Sequence, residues 1–210
     1  MNRRVVMVDG SYREHGITQQ MLDLMEETLR EGGFEVERIV LRDTPIAFCT
    51  NCRCCAQQPG SDPGVCTIDD AMRGVIASLE SADGYVFASP TNFHTVTALF
   101  KRFLERLTVY GYWPWGTPAP TYRKAERKAE RKAALCVSSC AAPSLLARLT
   151  SGTLQVLKAA ARCVGAKVVG TLYIGLIAIE ERPGLGEGDK KRVRAATRQL
   201  IAALERNEKA

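Results

Sequence analysis

Five short apolar runs, each halted by a turn and most of them followed by a helical repeat, constrain this chain more than any other feature. Arg4 to Val8 is β-branched and ends at Asp9-Gly10-Ser11, after which Ile17, Met21, Leu24, Met25 and Thr28 recur at helical spacing until Gly32-Gly33. Glu35 to Leu41, Tyr85 to Ala88, Ala133 to Ser138 and Lys167 to Ile174 read as further strands. Helices are predicted from apolar faces at Met72, Val75, Ile76 and Leu79, at Val96, Leu99, Phe100, Phe103 and Leu107, at Leu154, Leu157, Ala161 and Val164, and at Val193, Thr197, Leu200 and Leu204. Asp69 or Asp70 caps the first of these, and Lys101, Arg102 and Arg106 fall on the other faces of the second. Strands alternating with helices predict an α/β fold with a parallel sheet covered on both faces, because parallel strands need long right-handed crossovers. Ligands in such sheets bind beyond the carboxyl ends of strands where the strand order reverses, so the loops after the first, third and fourth strands are the expected site.

Length and charge narrow the class. The 210 residues fit a single domain, 1–210, with a cysteine-rich loop over 48–68 and a basic insertion over 110–132. The formal charge is +6, but six basic and two acidic residues crowd Arg123 to Lys132 and leave only +2 elsewhere, which argues against a nucleic-acid-binding surface. The run Val5 to Val8 stops at Asp9, too short for a signal-peptide core, and Val168 to Ile179 is too short to span a bilayer. A cytoplasmic protein with no membrane or nucleic-acid partner is expected. In that reducing compartment eight cysteines, five of them between Cys49 and Cys66, point to metal or redox chemistry more than to disulfides.

The loop Gly10 to Thr18 joins a strand to a helix N-terminus, where unpaired N–H groups and the helix dipole favour an anion and Ser11, Arg13 and Thr18 add donors. It lacks the Gly-x-Gly-x-x-Gly and Gly-Lys-Ser/Thr patterns, so a monophosphate suits it best; an ordinary capped turn is the alternative. Cys49-x2-Cys52-x2-Cys55 followed by Cys66 offers four thiolates to a [4Fe–4S] cluster or zinc, or forms a metal-free subunit contact, with Cys54 left over as an additional thiol. Cys136 and Cys163 lie on apolar faces and read as core, and His15 and His94 as solvated. Arg123 to Ala133 repeats every four residues and reads as a solvated, self-paired helix, or else as an arm for a phosphate or an acidic subunit face. Tyr110 to Trp115 is too aromatic for an idle loop and is expected to wall the pocket or a subunit contact.

Four stretches carry a resemblance: Gly10-Ser11-x-Arg13-x-x-Gly16-x-Thr18, Gly64-Val65-Cys66-Thr67-Ile68-Asp69-Asp70, Ser89-Pro90-Thr91-Asn92-Phe93, and Phe100-Lys101-Arg102-Phe103-x-x-Arg106. In this order they resemble the NAD(P)H-dependent FMN reductase and iron–sulfur flavoprotein group of flavodoxin-like proteins. The resemblance implies a flavodoxin-like three-layer sandwich with strand order 2-1-3-4-5, in a homodimer or homotetramer. It implies FMN with its phosphate at Ser11, Arg13, Gly16, Ile17 and Thr18 and its ring against Pro90, Thr91, Asn92 and Phe93, with Ser139 at the fourth strand's end. An Asn commonly stands in the family where Ile17 does, and a Tyr where Phe93 does, so Ile17 offers only its N–H and Phe93 only apolar surface. The activity implied is ping-pong hydride transfer from NAD(P)H through flavin to a small acceptor such as a quinone or a nitro- or azo-aromatic, with no catalytic side chain needed because the cofactor carries the chemistry. The alternative implied is an electron carrier with FMN and a [4Fe–4S] cluster on Cys49, Cys52, Cys55 and Cys66, although ten residues between Cys55 and Cys66 exceed the usual gap.

Overall fold

The structure, a computed structural model, describes residues 3–124, 132–181 and 183–208. Its elements are β1 (Arg4–Asp9), α1 (Ile17–Glu31), β2 (Glu35–Val40), α2 (Met72–Ser81), β3 (Gly84–Ala88), α3 (Ala98–Arg106), β4 (Gly111–Tyr112), β5 (Thr121–Tyr122), β6 (Ala133–Ser139), α4 (Ser144–Thr150), α5 (Thr153–Cys163), β7 (Lys167–Ile174) and α6 (Glu187–Glu208). Strands β2, β1, β3, β6 and β7, in that spatial order, form one sheet in which every pair is parallel. Counted along the chain this is the expected 2-1-3-4-5; the two-residue strands β4 and β5 pair only with each other.

Strand alternation assigns the side chains to two cores. Val6, Val8, Tyr85, Phe87, Ala134 and Cys136 pack against α2, α3 and α5, whereas Val5, Met7, Val86, Leu135 and Val137 pack against α1 and α6. Both faces of the sheet are thereby covered, which is why its strands read as continuous apolar runs. Helix α4 was not expected, and its composition shows why: of its seven residues only Ala147 is buried, while Leu145, Leu146 and Leu149 face outward. No core-facing repeat marks it.

Two expectations about charge are overturned. Arg106 does not lie on a polar face; its side chain is 1% exposed and forks onto Asp70 at 2.6 and 3.1 Å while donating to the Ala47 carbonyl at 3.0 Å. Asp70 in turn accepts the Met72 N–H at 2.9 Å from the position ahead of the N-cap, which is Ala71 and not either expected aspartate. Nor is the start of the basic repeat a solvated helix. Arg123 and Lys124 are buried, Lys124 pairing with Glu80 at 2.5 Å, and Lys132 donates to the Glu80 carbonyl at 2.7 Å. Residues 125–131 of that repeat lie outside the described residues.

Burial pushes the Asp70 carboxyl up, but the Arg106 guanidinium and the N–H groups of Ala47 and Met72 outweigh it and hold the group below its ordinary 3.8. A depressed carboxyl contributes stability that is complete above the unfolded value and lost as pH falls through the folded one. Asp70→Ala, which strands a buried guanidinium, is expected to cost about 3–5 kcal/mol at neutral pH by urea denaturation. Between about pH 5 and pH 2 the variant should then lose less further stability than the parent chain, because it lacks this carboxylate. Parallel pH profiles would sink the assignment.

Candidate functional site

Asp9 ends β1 as a fully buried carboxylate, accepting the Ser11 N–H at 2.9 Å and an Arg38 Nη2 hydrogen at 3.1 Å. Gly10 donates to the Ala88 carbonyl at 2.8 Å, and a Cβ there would sit 3.0 Å from that of Phe100, so the turn takes glycine. Thr97 caps α3 by accepting the Phe100 N–H at 3.2 Å and donates its hydroxyl to the Gly10 carbonyl at 2.6 Å, which ties the loop after β1 to the one after β3. Ser11 and the backbone of Arg13 then exchange bonds of 3.2 and 3.3 Å. Helix α1 starts behind Gly16 with no side-chain cap and no acid in its first turn. Its leading N–H groups stay available and the positive end of its dipole is not neutralised.

These features open on a cleft of about 220 Å³ lined by Ser11, Arg13, Gly16, Ile17, Thr18, Pro90, Thr91, Asn92 and Ser139, nine of the ten cofactor-site residues named from the sequence. Thr18 and Ser139 bridge it with a hydroxyl–hydroxyl bond of 2.8 Å. Thr91 shapes the wall but offers few free donors: its N–H donates to the Ser139 carbonyl, and its hydroxyl bonds those of Ser138, Thr153 and Tyr173. Phe93 is the exception. With His94 it occupies the two left-handed positions of a tight turn, φ 45° and 64°, closed by reciprocal bonds between Asn92 and Thr95, and its ring is fully exposed outside the cleft.

The sequence reading missed the loop after β7, which adds Ile177, Ala178 and Pro183 to the cleft, and it passed over Tyr12, Thr97 and Ala141. Gly175 is what could have revealed that loop. A Cβ there would lie 2.3 Å from the Ser144 nitrogen and 2.4 Å from the Ala142 oxygen, so only glycine lets the segment lie on the loop after β6, where Leu176 donates to the Ala142 carbonyl at 3.1 Å.

The cysteine loop builds a separate unit. Arg53, left-handed at φ 60°, is sandwiched between the rings of Trp113 and Trp115 at 3.7 and 4.3 Å from their centroids and donates to the Trp113 carbonyl at 2.8 Å. Arg123 donates to the carbonyls of Cys55 at 3.0 Å, Val109 at 3.1 Å and Gly60 at 3.2 Å. Tyr110 to Trp115 thus wall the cysteine loop and are absent from the cleft lining. Among the thiols, Cys49 accepts the Asn51 N–H at 3.4 Å and Cys66 takes a hydrogen from Arg106 at 3.6 Å. Hydrogen bonds, chiefly from the Cys54 N–H and then from Thr67, lower the Cys52 thiol to about 7, while burial and then its thiol neighbours push Cys55 up to about 11.

Comparison with known proteins places the fold. The model of the NADPH-dependent FMN reductase family matches residues 3–177. The chain belongs to this family. It is 33% identical over 111 residues to an iron–sulfur flavoprotein of Archaeoglobus fulgidus, covering 53% of this chain and 48% of that protein. A second such protein, from Methanocaldococcus jannaschii, is 29% identical over 103 residues, 49% of this chain and 51% of the other. The matches thus span about half the length of these relatives. Among solved structures, an NAD(P)H:quinone oxidoreductase from Methanothermobacter marburgensis superposes with a TM-score of 0.70 at 18% identity, over 95% of this chain and 100% of that one.

The family's FMN can be tested against these residues. An uncapped 15-residue helix aimed at a cleft, with Arg13 beside it and no acid in its first turn, fits a phosphate monoester. Among the described residues no three cysteine, histidine, aspartate or glutamate side chains close around one metal ion, the arrangement a zinc site needs.

Gly64 tests how tightly the cysteine unit is built. Its N–H donates to the Val109 carbonyl at 2.8 Å and a Cβ would fall 1.7 Å from the Cys55 oxygen. Gly64→Ala is expected to cost at least about 1–3 kcal/mol in chemical denaturation, and to speed protease cleavage within 57–64. Unchanged cleavage would show that the two strands of this loop are not held in contact.

Proposed function

We propose that the chain binds FMN in the cleft between the carboxyl ends of β1 and β3 and uses NAD(P)H to reduce a small acceptor by a ping-pong route. The observation that carries the proposal is the uncapped N-terminus of α1, facing a cleft that nine of the ten expected residues line. The N–H groups of Ile17 and Thr18, the hydroxyls of Ser11 and Thr18, and the Arg13 charge would hold the phosphate; Pro90, Thr91 and Asn92 on one side and Cys140, Ala141 and Ile177 on the other would hold the ring. FMN, when bound, supplies the hydride chemistry. Among the described residues the cleft lining contains no aspartate, glutamate or histidine, so the protein's part is to bind and orient, and a quinone or a nitro- or azo-aromatic are the acceptor classes that an open flavin face would serve.

The proposal includes a homodimer or homotetramer. Phe93, Leu145, Leu146, Leu149, Leu176 and Ile179 are exposed, and all follow the carboxyl ends of β3, β6 and β7, so a second copy seated there would cover apolar surface at the rim of the cleft. It also keeps the protein in the cytoplasm without membrane or nucleic-acid partners; no helix among the described residues is long and apolar enough to cross a membrane. A second reading, an electron carrier with FMN and a [4Fe–4S] cluster, draws support from the relatives named iron–sulfur flavoproteins.

Titration of the FMN-stripped chain with FMN, followed by quenching of flavin fluorescence, tests the site. Thr18→Glu sets a carboxylate in the first turn of α1 and is expected to weaken FMN binding at least about tenfold, roughly 1.4 kcal/mol, with an unchanged circular dichroism spectrum. A parent chain that takes up no FMN and oxidises no NAD(P)H in its presence overturns the proposal. Iron and sulfide in stoichiometric amounts after anaerobic purification would favour the carrier.

A further inference from the structure

We propose that Cys52 and Cys54 form a redox-active dithiol that reduces small disulfides and closes to a Cys52–Cys54 bond. The inference is independent of the flavin site. It rests on how Arg53 folds the chain between the two thiols, and on Cys54, which the four-thiol pattern leaves without a task.

Both side chains are exposed. Arg53 between them has φ 60° and ψ 7°, a left-handed helical conformation more compact than an extended one, so the flanking Cα atoms are drawn toward the separation that a disulfide spans. The Cys54 thiol points back to the Cys52 carbonyl at 3.8 Å, and the Cys52 thiol meets the Thr67 hydroxyl at 3.7 Å. A non-glycine residue holds such a backbone only where its surroundings impose it. Here the guanidinium lies between Trp113 and Trp115, donates to the Trp113 carbonyl at 2.8 Å, and the following turn is closed by Ala56 donating to the Arg53 carbonyl at 2.9 Å. The three remaining thiols of the loop are less exposed. Cys49 is partly buried and accepts the Asn51 N–H at 3.4 Å, Cys55 is partly buried with its carbonyl bound to Arg123, and Cys66 is partly buried against Arg106.

The chemistry balances with a low-molecular-weight disulfide, RS–SR, as oxidant. The Cys52 thiolate attacks one sulfur, the RS–SR bond breaks, a Cys52–SR bond forms, and the departing thiolate takes up the proton that Cys52 gave up. The Cys54 thiolate then attacks the Cys52 sulfur and expels the second RS⁻, which takes up the proton from Cys54. The dithiol loses two electrons, and one disulfide becomes two thiols.

The test treats the full chain, as purified, with glutathione disulfide, quenches with an alkylating agent and maps the products by mass spectrometry. Trypsin cuts at Arg53, so the expected bond joins the peptide Asp43–Arg53 to Cys54–Arg73, and fragmentation places it on Cys52 and Cys54. Cys54→Ser should instead accumulate a Cys52–glutathione adduct, which the parent chain releases at least tenfold faster. Trp113→Leu, which loosens Arg53, should slow that release about tenfold while leaving adduct formation unchanged. The proposal is overturned if the bond maps to another pair, or if Cys54→Ser closes as readily as the parent chain. It is equally overturned if the purified chain holds stoichiometric iron or zinc and Cys52 does not react.

Discussion

The position of β1 between β2 and β3 is the constraint from which the rest follows. The chain leaves β1 through α1 on one face and pairs with it again as β2 at one side, then crosses through α2 on the other face to pair as β3 at the opposite side. Right-handed crossovers that diverge in this way must open a crevice at the carboxyl ends of β1 and β3. Two things make the crevice an anion site rather than a void. The turn after β1 is held by a buried carboxylate, Asp9, that uses one oxygen on the Ser11 N–H and the other on Arg38. Arg38, held outside by the exposed Asp23 at 2.5 Å, sets a cation directly against the buried Asp9 carboxylate at 3.1 Å. An uncapped helix end beside a paired carboxylate attracts anions more than one beside a bare carboxylate.

A different balance sets the cysteine unit. The loop has no core of its own, and loop closure is not what opposes it, since doubling the length of a flexible loop costs only about 0.6 kcal/mol. Its difficulty is backbone that no strand or helix satisfies. Arg123 answers much of that by donating to the carbonyls of Cys55, Gly60, Val109 and Gly111, and charged donors of this kind contribute about 1.5–3 kcal/mol per bond. The Trp113–Arg53–Trp115 sandwich adds cation–π contacts worth about 0.5–2 kcal/mol each. The segment from Tyr110 to Lys124 is thus the missing core of the loop, contributed from some 60 residues downstream.

How much of this was legible in the sequence depends on the range of the interactions. The sheet and its strand order were legible because strand runs and helical repeats are local patterns, and so were Ser11 to Thr18 and Pro90 to Asn92, which are turn punctuation at strand ends. Arg106 was misread because an arginine among Lys101 and Arg102 looks like surface, whereas its partner Asp70 lies 36 residues away. Arg123 was misread for the same reason inside a charge repeat, and its four carbonyl partners are contributed by two separate segments, the cysteine loop and Val109 to Gly111. Phe93 failed differently. Stacking was expected from the family resemblance, but a two-residue turn with both central positions left-handed rotates the ring out of the cleft.

Helix α3 connects the two units and fixes their relation. Thr97 at its N-terminus is bonded to Gly10 of the cleft turn, and Arg106 at its C-terminus is bonded to Asp70 and touches Cys66. Nine residues at about 1.5 Å each set these ends roughly 13 Å apart along the helix axis. The helix cannot slide without disturbing Phe100 and Phe103, which are fully buried and meet each other at 5.5 Å and Phe87 of β3 at 6.4 and 6.5 Å. A packed aromatic cluster resists small displacements because its neighbours leave no void to move into. The cysteine unit is therefore held at a set distance from the cleft as a second rigid wall of the molecule, and a structural change in one would have to break the Arg106–Asp70 pair or the Thr97–Gly10 bond before it reached the other.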